Sequence, residues 1–537
     1  MLGKLLDRIL HDEEDLEIKV KQKKDISFEE NRGLGKKDLL IALFVFLLAL
    51  GVRLYSLFYI TDPQNAGVEG WYSDTYHHWQ IAYLTKEIGL KEGFLRLWDL
   101  KGMEYFWGAG HPLVGALLIA ITGSTSIVNF RILSAIMGSG AVALIFLIVK
   151  RHWTLQAALA AAFLGAFNPV GIFSDASGMV EPLGFASILA GIYFFPKRAI
   201  ISGLFLAAAS MTRAEYWLLS LLILVGMLLT KSPSNKKPTL IVAYLIPIIL
   251  YMKYLLDYTG NPIYPIWWNF IGNAFGEWQA DIAPTIEQLD IQKVYWLIAL
   301  FSIIGILATL WRRPKVTPLY LFGLGNWLMW GVFIGMTKYL LSYLPRFWVD
   351  RIMTWPYLFL AVAISILIFG LVPQKLHKSI KIILSVSGWI LIGLILFISQ
   401  IAWKEIHRYY DPTRKNWENF RQLSSSISKY DTREGKILLP EYWPPLTYTL
   451  VHFEGIKGER IVGQMFDPFF YMEGDPFANW GENREIIFNW LESENIKLMI
   501  IPEKREDYIK LVSREENAFE KIGELSRWSL LVYQVKD

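Results

Sequence analysis

The 537-residue chain contains no cysteine, which excludes disulfide frameworks, thiol catalysis and cysteine-ligated zinc. Charged residues are scarce at 19% of the chain, whereas soluble domains average roughly 25%. The formal net charge of +4 is too small to indicate a nucleic-acid partner. The sequence also lacks a glycine-rich phosphate-binding loop, which disfavours a nucleotide-driven enzyme or pump.

Long apolar runs dominate the rest of the sequence. Hydrophobic residues make up 53% of the chain, and mean hydropathy is +0.32. A helix needs about 20 apolar residues to cross a bilayer. Eleven runs approach that length: 39–59, 128–149, 155–172, 180–195, 199–211, 216–230, 239–257, 291–311, 317–337, 352–371 and 382–402. They predict a mainly α-helical, polytopic membrane bundle of about 11 spans. The first span would be a signal anchor behind a charged segment, 1–38.

Loop charge predicts how these spans are oriented. If the N-terminus is cytoplasmic, the cytoplasmic loops after the second span and every second span thereafter hold 13 basic residues and no acidic one. The opposite loops carry most of the acids. Because cytoplasmic loops of membrane proteins are enriched in lysine and arginine, we predict an integral cell-membrane protein with an external C-terminus. Chance clustering of loop lysines is the alternative explanation.

Two segments are not expected to span the membrane. Residues 61–127 form a long external loop, in which Asp74–Gly89 has the spacing of an amphipathic helix and 113–121 is apolar but too short to cross. Residues 403–537 are polar, and short β-type runs (KILLP, RIVGQ, KLMIIP and LLVYQV) alternate there with helical stretches. We therefore predict a multi-span domain over 39–402 and a small external α/β domain over 403–537.

Carboxylates at the external ends of spans are candidate catalytic groups, because ionisable residues near membrane depth usually mark a site. Asp74 follows the first span among tryptophans and tyrosines, although an acid at a helix start is often only a partner of the helix dipole. Asp175 and Glu181 flank a short turn between two spans. Helix capping is the competing explanation for both.

Four further charged residues are candidates for substrate binding. Arg213 and Glu215 interrupt an otherwise apolar stretch and could simply form the tip of a helical hairpin. Arg346 and Arg351 lie at the external mouth of the tenth span. Arginine holds phosphate through paired hydrogen bonds, but interfacial arginines also bind lipid headgroups without specificity.

Three histidines, His77, His78 and His111, lie in the same external loop as Asp74. Adjacent histidines on a helix point in two directions and clamp a metal poorly. These residues are therefore candidates for substrate binding and not for a zinc site. A divalent cation at Asp74 and Asp175, either Mg²⁺ or Mn²⁺, is left open.

Several short motifs resemble the GT-C superfamily of integral-membrane glycosyltransferases. Residues 73–82 (SDTYHHWQIA) are similar to the Asp-Glu-x-x-Tyr-x-x-x-Ala element of its protein O-mannosyltransferase and aminoarabinose-transferase branch. Residues 111–113 (HPL) resemble its His-Pro-Pro-Leu, and 130–135 (FRILSA) its Arg-Leu-x-Ser-Ala. The segments 259–262 (TGNP) and 345–347 (PRF) are also similar to recurrent elements. The resemblance covers roughly 38–371 and rests on the order and spacing of loose motifs.

The sequence departs from that pattern at two places. Thr75 stands where the family has the second acid of its Asp-Glu pair. The oligosaccharyltransferase branch has a Trp-Trp-Asp-Tyr-Gly element in its external domain, whereas the tail here offers only Asn416-Trp417 and Asn479-Trp480. The second departure disfavours transfer of a whole glycan to asparagine.

The resemblance implies transfer of a sugar from a polyprenyl-phosphate donor to a protein, glycolipid or glycan acceptor at the external face. Displacement at the anomeric carbon needs a base and a means of stabilising the leaving phosphate. Asp74 is the predicted base, and a single base implies inversion. Arg346 and Arg351, with Arg213, are the predicted phosphate ligands. An oligosaccharyltransferase-like enzyme and a lipid or sugar transporter are the alternatives.

Overall fold

A computed structural model describes the chain from residue 34 onward, with gaps. The described residues are 34–60, 73–88, 105, 107–195, 197–229, 236–268, 321–329, 354–370, 372, 376–400, 417–440, 444–463, 468–472 and 474–536. The predicted cytoplasmic segment 1–38 therefore lies almost wholly outside them, as do Arg346, Arg351 and the predicted span 291–311.

Helices account for most of the described chain. In chain order they are α1 (Lys36–Tyr55, continued as a π-turn over Ser56–Ile60), α2 (Ser73–Ile88), α3 (Gly110–Thr122), α4 (Ile127–His152), α5 (Leu155–Ala166), α6 (Pro169–Ala176), α7 (Glu181–Phe194), α8 (Ala199–Ser210), α9 (Ala214–Leu229), α10 (Lys236–Thr259), α11 (Tyr264–Trp267), α12 (321–329), α13 (Thr354–Ser365, continued as a π-turn over Ile366–Gly370), α14 (Lys378–Ser399) and α15 (417–428).

Among the described residues, four helices are long and apolar enough to cross a membrane, which supports the prediction of a helical membrane protein. They cover Lys36–Tyr59, Ile127–His152, Lys237–Thr259 and Lys378–Ser399. A bent pair of helices could add a fifth span. The remaining apolar helices, such as Ala199–Ser210, are shorter than the roughly 20 residues that a span needs. The predicted count of about 11 spans is therefore not confirmed.

The bent pair is α5 and α6, whose axes differ by 57°. The sequence explains the break. Asn168 accepts a hydrogen bond from the backbone nitrogen of Val170 and so starts a new helix, at whose first position Pro169 has no N–H to give to the preceding turn. The break directs α6 across the end of α1 and places Asp175 in its last turn.

The two ends of the helical bundle differ in charge. At one end Lys150 of α4 approaches Asp38 of α1, and Arg151 donates a hydrogen bond to the Tyr193 carbonyl. The opposite end holds the carboxylates at the end of α6 and at the starts of α2, α7 and α9. This separation follows the predicted loop pattern, while the sidedness of the termini stays a prediction.

A five-stranded mixed sheet lies near the C-terminus. Its strands are β1 (Lys436–Leu439), β2 (Ile461–Gly463), β3 (Ile496–Pro502), β4 (Phe519–Leu525) and β5 (Leu530–Val535). The order is β2-β1-β3-β5-β4, with β1 parallel to β2 and β3, and β5 antiparallel to β3 and β4. Three helices accompany it: α16 (Pro444–His452), α17 (Trp480–Ser493) and α18 (Glu506–Arg514). The small predicted sheet is thereby confirmed, and its proposed boundary at 403 lies outside the described residues.

Side-chain alternation divides the sheet between two cores. Leu438 and Met499 pack with α17 and α18 on one face. Ile437 and Leu498 pack on the other face, in a cluster that also contains Tyr76 of α2. The core of the sheet therefore continues directly into the helix that begins beside Asp74.

Hydrogen bonds fix that contact. The Tyr448 hydroxyl of α16 accepts from the backbone nitrogen of Ile127 at 3.2 Å, and Gln80 of α2 donates to Thr447. Trp79 of α2 donates through Nε1 to the Thr125 carbonyl at 2.7 Å. Helix α16 therefore bonds to both α2 and the start of α4, and Trp79 links α2 directly to the residues just before α4.

Candidate functional site

The turn between α6 and α7 is held by three side chains from other helices. Thr75 Oγ1 donates to the Ser177 carbonyl at 2.7 Å, and Arg131 Nε donates to the Ala176 carbonyl at 2.8 Å. Ser134 Oγ donates to the Met179 carbonyl at 3.1 Å. These bonds tie the beginning of α2, where Asp74 lies, to the turn that separates Asp175 from Glu181.

Glycine is required within this turn. Gly178 has φ +80°, a left-handed conformation in which side chains are strained, and an added Cβ would lie 2.7 Å from Thr75 Cγ2. Because Gly178 has no side chain, Thr75 at the start of α2 can lie close to the turn.

Asp175 forms a buried ion pair with Arg53 of α1. Arg53 Nε donates to Asp175 Oδ2 at 2.6 Å, and the two residues retain 1% and 8% of their exposed surface. The carboxyl group sits directly over Gly138 of α4, where an added Cβ would be 2.0 Å from Asp175 Cγ. Asp175 is therefore enclosed by a guanidinium on one side and bare backbone on another.

Glu181 and Glu215 share a different arginine. Arg213 donates to Glu215 through Nε at 3.0 Å and through Nη2 at 2.8 Å, and its Nη1 donates to Glu181 Oε1 at 2.5 Å. All three side chains are buried. Counting these three described side chains alone, the group formally holds two negative charges against one positive charge.

The three predicted histidines converge around Trp107. The ring of His77 stacks on Trp107 at 5.4 Å between centroids, and His78 meets the same indole edge-on at 5.2 Å. The rings of His78 and His111 are 5.3 Å apart, also edge-to-face. Burial lowers the pKa of His77 to about 4, although the nearby Asp74 carboxylate opposes that shift. His77 is therefore neutral at physiological pH.

His111 joins this group to the acidic cluster. It is almost fully buried at the start of α3, close enough to Glu181 to experience its charge. Within the described part of the chain, neither of its ring nitrogens has a hydrogen-bond partner. A buried imidazole in that state can donate or accept a hydrogen bond when a polar ligand arrives.

Asp74 differs from the other acids in its exposure. It is half-buried in the first turn of α2, whereas Asp175, Glu181 and Glu215 are buried and ion-paired with arginine. Of the sequence-predicted site residues, the structure thus brings eight to one end of the bundle. The other two, Arg346 and Arg351, are outside the described residues.

The arrangement of the acidic side chains bears on whether a divalent cation could bind here. Such a site needs several converging oxygen ligands, and no three histidine or acidic side chains come together in this way among the described residues. The Asp175 carboxylate also already accepts a hydrogen bond from Arg53. A cation held by Asp74 and Asp175 therefore stays a prediction.

Sequence reasoning had not singled out Arg53 or Arg131. A signal was present for Arg53, because it interrupts the first apolar run and an arginine at membrane depth needs a partner. Arg131 had been noted only as part of a motif, at the start of the second run. Both donate hydrogen bonds next to the α6–α7 turn: Arg53 to the Asp175 carboxylate and Arg131 to the Ala176 carbonyl.

Comparison with known proteins gives a result for structure but none for sequence. No protein-family model and no curated protein matches the sequence. The structure is similar to the archaeal oligosaccharyltransferase AglB from Archaeoglobus fulgidus, with a TM-score of 0.51 and 12% identity, over 87% of this chain and 70% of that one. ArnT from Cupriavidus metallidurans aligns with a TM-score of 0.46 and 13% identity, over 93% and 97% of the two chains.

The likeness to AglB defines the class of fold. The chain has the fold of the GT-C superfamily of integral-membrane glycosyltransferases, as its motifs had predicted. At this level of identity the likeness speaks for the fold alone.

Proposed function

We propose that this protein transfers a sugar from a polyprenyl-phosphate donor to an acceptor at the external face of the membrane, with inversion at the anomeric carbon. The observation that carries the proposal is the gathering of Asp74, three ion-paired acids and three histidines at one end of a GT-C fold. AglB, which has a similar fold, was determined with a dolichol-phosphate, a lipid phosphate of the proposed chemical class.

Asp74 is the proposed base. Its half-buried position leaves it accessible to an acceptor, while Asp175, Glu181 and Glu215 are buried. In this scheme the Asp74 carboxylate takes the proton of the acceptor hydroxyl. The hydroxyl oxygen then bonds to the anomeric carbon as the bond from that carbon to the phosphate oxygen breaks, and the lipid phosphate leaves with the electron pair.

The leaving phosphate needs positive charge, for which Arg346 and Arg351 are the proposed source. Arg213 is less suited, since three of its nitrogens already donate to Glu181 and Glu215. We assign it instead to the orientation of those two carboxylates, which would line the acceptor or sugar pocket.

A direct assay tests the reaction. Purified protein in detergent or vesicles is incubated with a panel of radiolabelled polyprenyl-phosphate sugars, and protein, glycolipid and glycan acceptors are supplied in turn. Transfer of label with release of polyprenyl phosphate supports the proposal. Absence of transfer across the panel, with donor recovered intact, would refute it.

The variant Asp74→Asn tests the assigned base. It keeps the shape of the side chain but removes the charge that accepts a proton, and loss of a general base typically costs ~10²–10⁴-fold in rate. We expect normal folding and donor binding, with turnover reduced at least about a hundredfold. The matched control is Asp257→Asn, which alters an exposed carboxylate paired with Lys253. If Asp74→Asn turned over nearly as fast as the parent protein, another residue would have to be the base.

Transfer of a whole glycan to asparagine is a second candidate, favoured by the structural likeness to an oligosaccharyltransferase. It is distinguished by adding a lipid-linked oligosaccharide and an asparagine-containing peptide to the same assay. Glycosylated peptide formed from the oligosaccharide, with no transfer from single-sugar donors, would favour it. Movement of intact lipid donor across vesicles without any transfer would instead indicate a transporter.

A further inference from the structure

Arg53 connects three parts of the bundle at the break between α5 and α6. Its Nε donates to Asp175 Oδ2 at 2.6 Å, at the end of α6. Its Nη1 donates to the carbonyl of Ala49 within α1 at 3.2 Å and to that of Ala166, the last residue of α5, at 3.3 Å. One guanidinium therefore touches the helix before the break, the helix after it and its own helix.

The break leaves backbone carbonyls at the end of α5 without partners in the helix, and Arg53 donates a hydrogen bond to one of them. The last carbonyls of a helix have no partner within it, and inside a membrane protein water is scarce. The Ala166 carbonyl receives Arg53, and the next carbonyl, that of Phe167, receives the Gln400 side chain at 3.1 Å. Arg53 thus stabilises the bend itself as well as the carboxylate at the far end of α6.

Asp175 is seated by packing as well as by charge. An added Cβ on Gly138 would fall 2.0 Å from both Asp175 Cγ and Asp175 Oδ2, so any larger residue must displace the carboxyl group. Gly140, two residues along the same helix, has no atom within 4 Å of the corresponding position. Along α4, the Asp175 carboxyl group therefore needs a missing side chain at Gly138 and not at Gly140.

From Asp175 the connection continues to the proposed base. The residues after Asp175 form the turn whose Ser177 carbonyl accepts the Thr75 hydroxyl at 2.7 Å. Thr75 is the neighbour of Asp74 in the first turn of α2. A shift of α6 would therefore move the turn and, through Thr75, the start of the helix that carries Asp74.

We infer that Arg53 is a positioning residue: it locks the bent pair α5–α6 through Asp175 and the Ala166 carbonyl, and thereby sets the position of Asp74. Arg53 acts through Asp175 and the turn, and does not itself meet the substrate. The effect on turnover rests on the proposed function, whereas the effect on the backbone around α6 does not.

The first test removes the positive charge of Arg53. In Arg53→Met a side chain of similar length loses both the ion pair and the bond to Ala166, and kcat should fall about a hundredfold, as small misplacements of reacting groups do, with little change in the donor KM. Arg53→Lys should recover part of kcat, because an ammonium can reach one acceptor but not both. Guanidinium ion added to the purified, folded Arg53→Ala variant should raise its kcat, whereas ammonium at equal concentration should not. A role confined to folding predicts no such rescue.

The second test leaves every charge in place. Gly138→Ala should displace the Asp175 carboxyl group and lower kcat in the same direction as Arg53→Met. Gly140→Ala is the matched control on the same helix and should behave as the parent protein. Equal activity of the two alanine variants would overturn the assigned seat of Asp175.

The third test does not depend on glycosyl transfer. Hydrogen exchange measured by mass spectrometry should be faster over 169–181 in Arg53→Met and Gly138→Ala, and unchanged over the strand Ile496–Pro502. Unchanged exchange over 169–181 in both variants would overturn the inference. If the parent transfers no sugar, the proposed function fails while this measurement still decides the role of Arg53. If Arg53→Met cannot be purified folded, Arg53→Lys and Gly138→Ala provide the same comparison.

Discussion

Two buried arginines at the same end of the bundle hold carboxylates in different ways. Arg53 pairs with a single acid, Asp175, and gives its other contacts to backbone carbonyls, so the pair is neutral. Arg213 lies between Glu181 and Glu215, so its cluster formally carries a surplus negative charge. The first arrangement stabilises the path of the backbone, and the second holds two acids in fixed orientations. Asp175 and Glu181 are six positions apart in sequence, yet they belong to different clusters.

The largest effect is expected from Arg213→Met, because it leaves two buried carboxylates facing each other without their cation. Breaking a buried ion pair by removing one partner costs about 3–5 kcal/mol, and two stranded acids place this variant at the upper end. Size-exclusion chromatography and thermal unfolding in detergent should show aggregated or strongly destabilised protein. Arg198→Met, at an exposed arginine, is the control. An unfolding temperature close to the parent value would mean that the two glutamates are not charged together.

A smaller loss is expected when one acid of the same cluster is neutralised. Glu215→Gln removes one partner of two hydrogen bonds to Arg213, whereas Glu181→Gln affects one. Hydrogen bonds to charged groups contribute about 1.5–3 kcal/mol, and the remaining acid still pairs with Arg213. Thermal unfolding should therefore rank the parent above Glu181→Gln and Glu181→Gln above Glu215→Gln. The opposite order would show that the paired contact to Glu215 is not the stronger one.

The smallest effect is expected at Arg460, in the C-terminal sheet region, whose partly exposed side chain binds Asp431 through two nitrogens at 2.6 and 2.9 Å. Because water can reach the partly exposed Arg460 guanidinium, Asp431→Asn should destabilise the fold by only about 1 kcal/mol, the upper end of what exposed ion pairs contribute. The variant thus extends the comparison to a partly buried pair outside the helical bundle, whose arginine is more exposed than Arg53 or Arg213. A loss as large as that in Arg213→Met would show that burial does not set the ranking.

The same pair predicts a pH dependence. Burial pushes the pKa of Asp431 upward, but hydrogen bonds from Arg460 and from the backbone of Arg433 outweigh it and lower the pKa. A lowered pKa adds stability above the pKa of about 3.9 that an aspartate has in the unfolded chain, and this contribution is lost as pH falls through the folded value. The protection of the Ile461–Gly463 amides against hydrogen exchange, expressed relative to the intrinsic exchange rate at each pH, should therefore fall below about pH 4 in the parent and change less steeply in Asp431→Asn.

Local patterns predicted the secondary structure well where one signal dominated. The runs KILLP, RIVGQ, KLMIIP and LLVYQV all contain observed strands. Short runs of apolar, β-type residues bounded by turn residues are typical of strands. The strand Phe519–Leu525 was missed. It lies at the edge of the sheet, paired with β5, and its exposed positions carry charged residues that hide the alternation.

The predicted count of about 11 spans is not confirmed, because hydropathy measures composition and not helix length. Runs such as 199–211 and 216–230 are apolar enough, but the helices that form there end before membrane thickness is reached. Run 155–172 was predicted as one span and is divided by Asn168 and Pro169 into two helices at 57°. The capping residue was visible in the sequence, whereas the direction taken by the second helix was not.

The sequence alone determined that this is a helical membrane protein with a small C-terminal sheet, and its motifs predicted the GT-C fold. It also identified the acids, arginines and histidines that could serve a reaction, because charged and polar residues in an apolar chain are conspicuous. Only the tertiary structure decided how they are paired: Asp175 with Arg53, 122 positions away, and Glu181 with Arg213, 32 positions away. No local pattern contains that information, because a buried charge is satisfied by whichever group the packing of distant helices brings within hydrogen-bond distance.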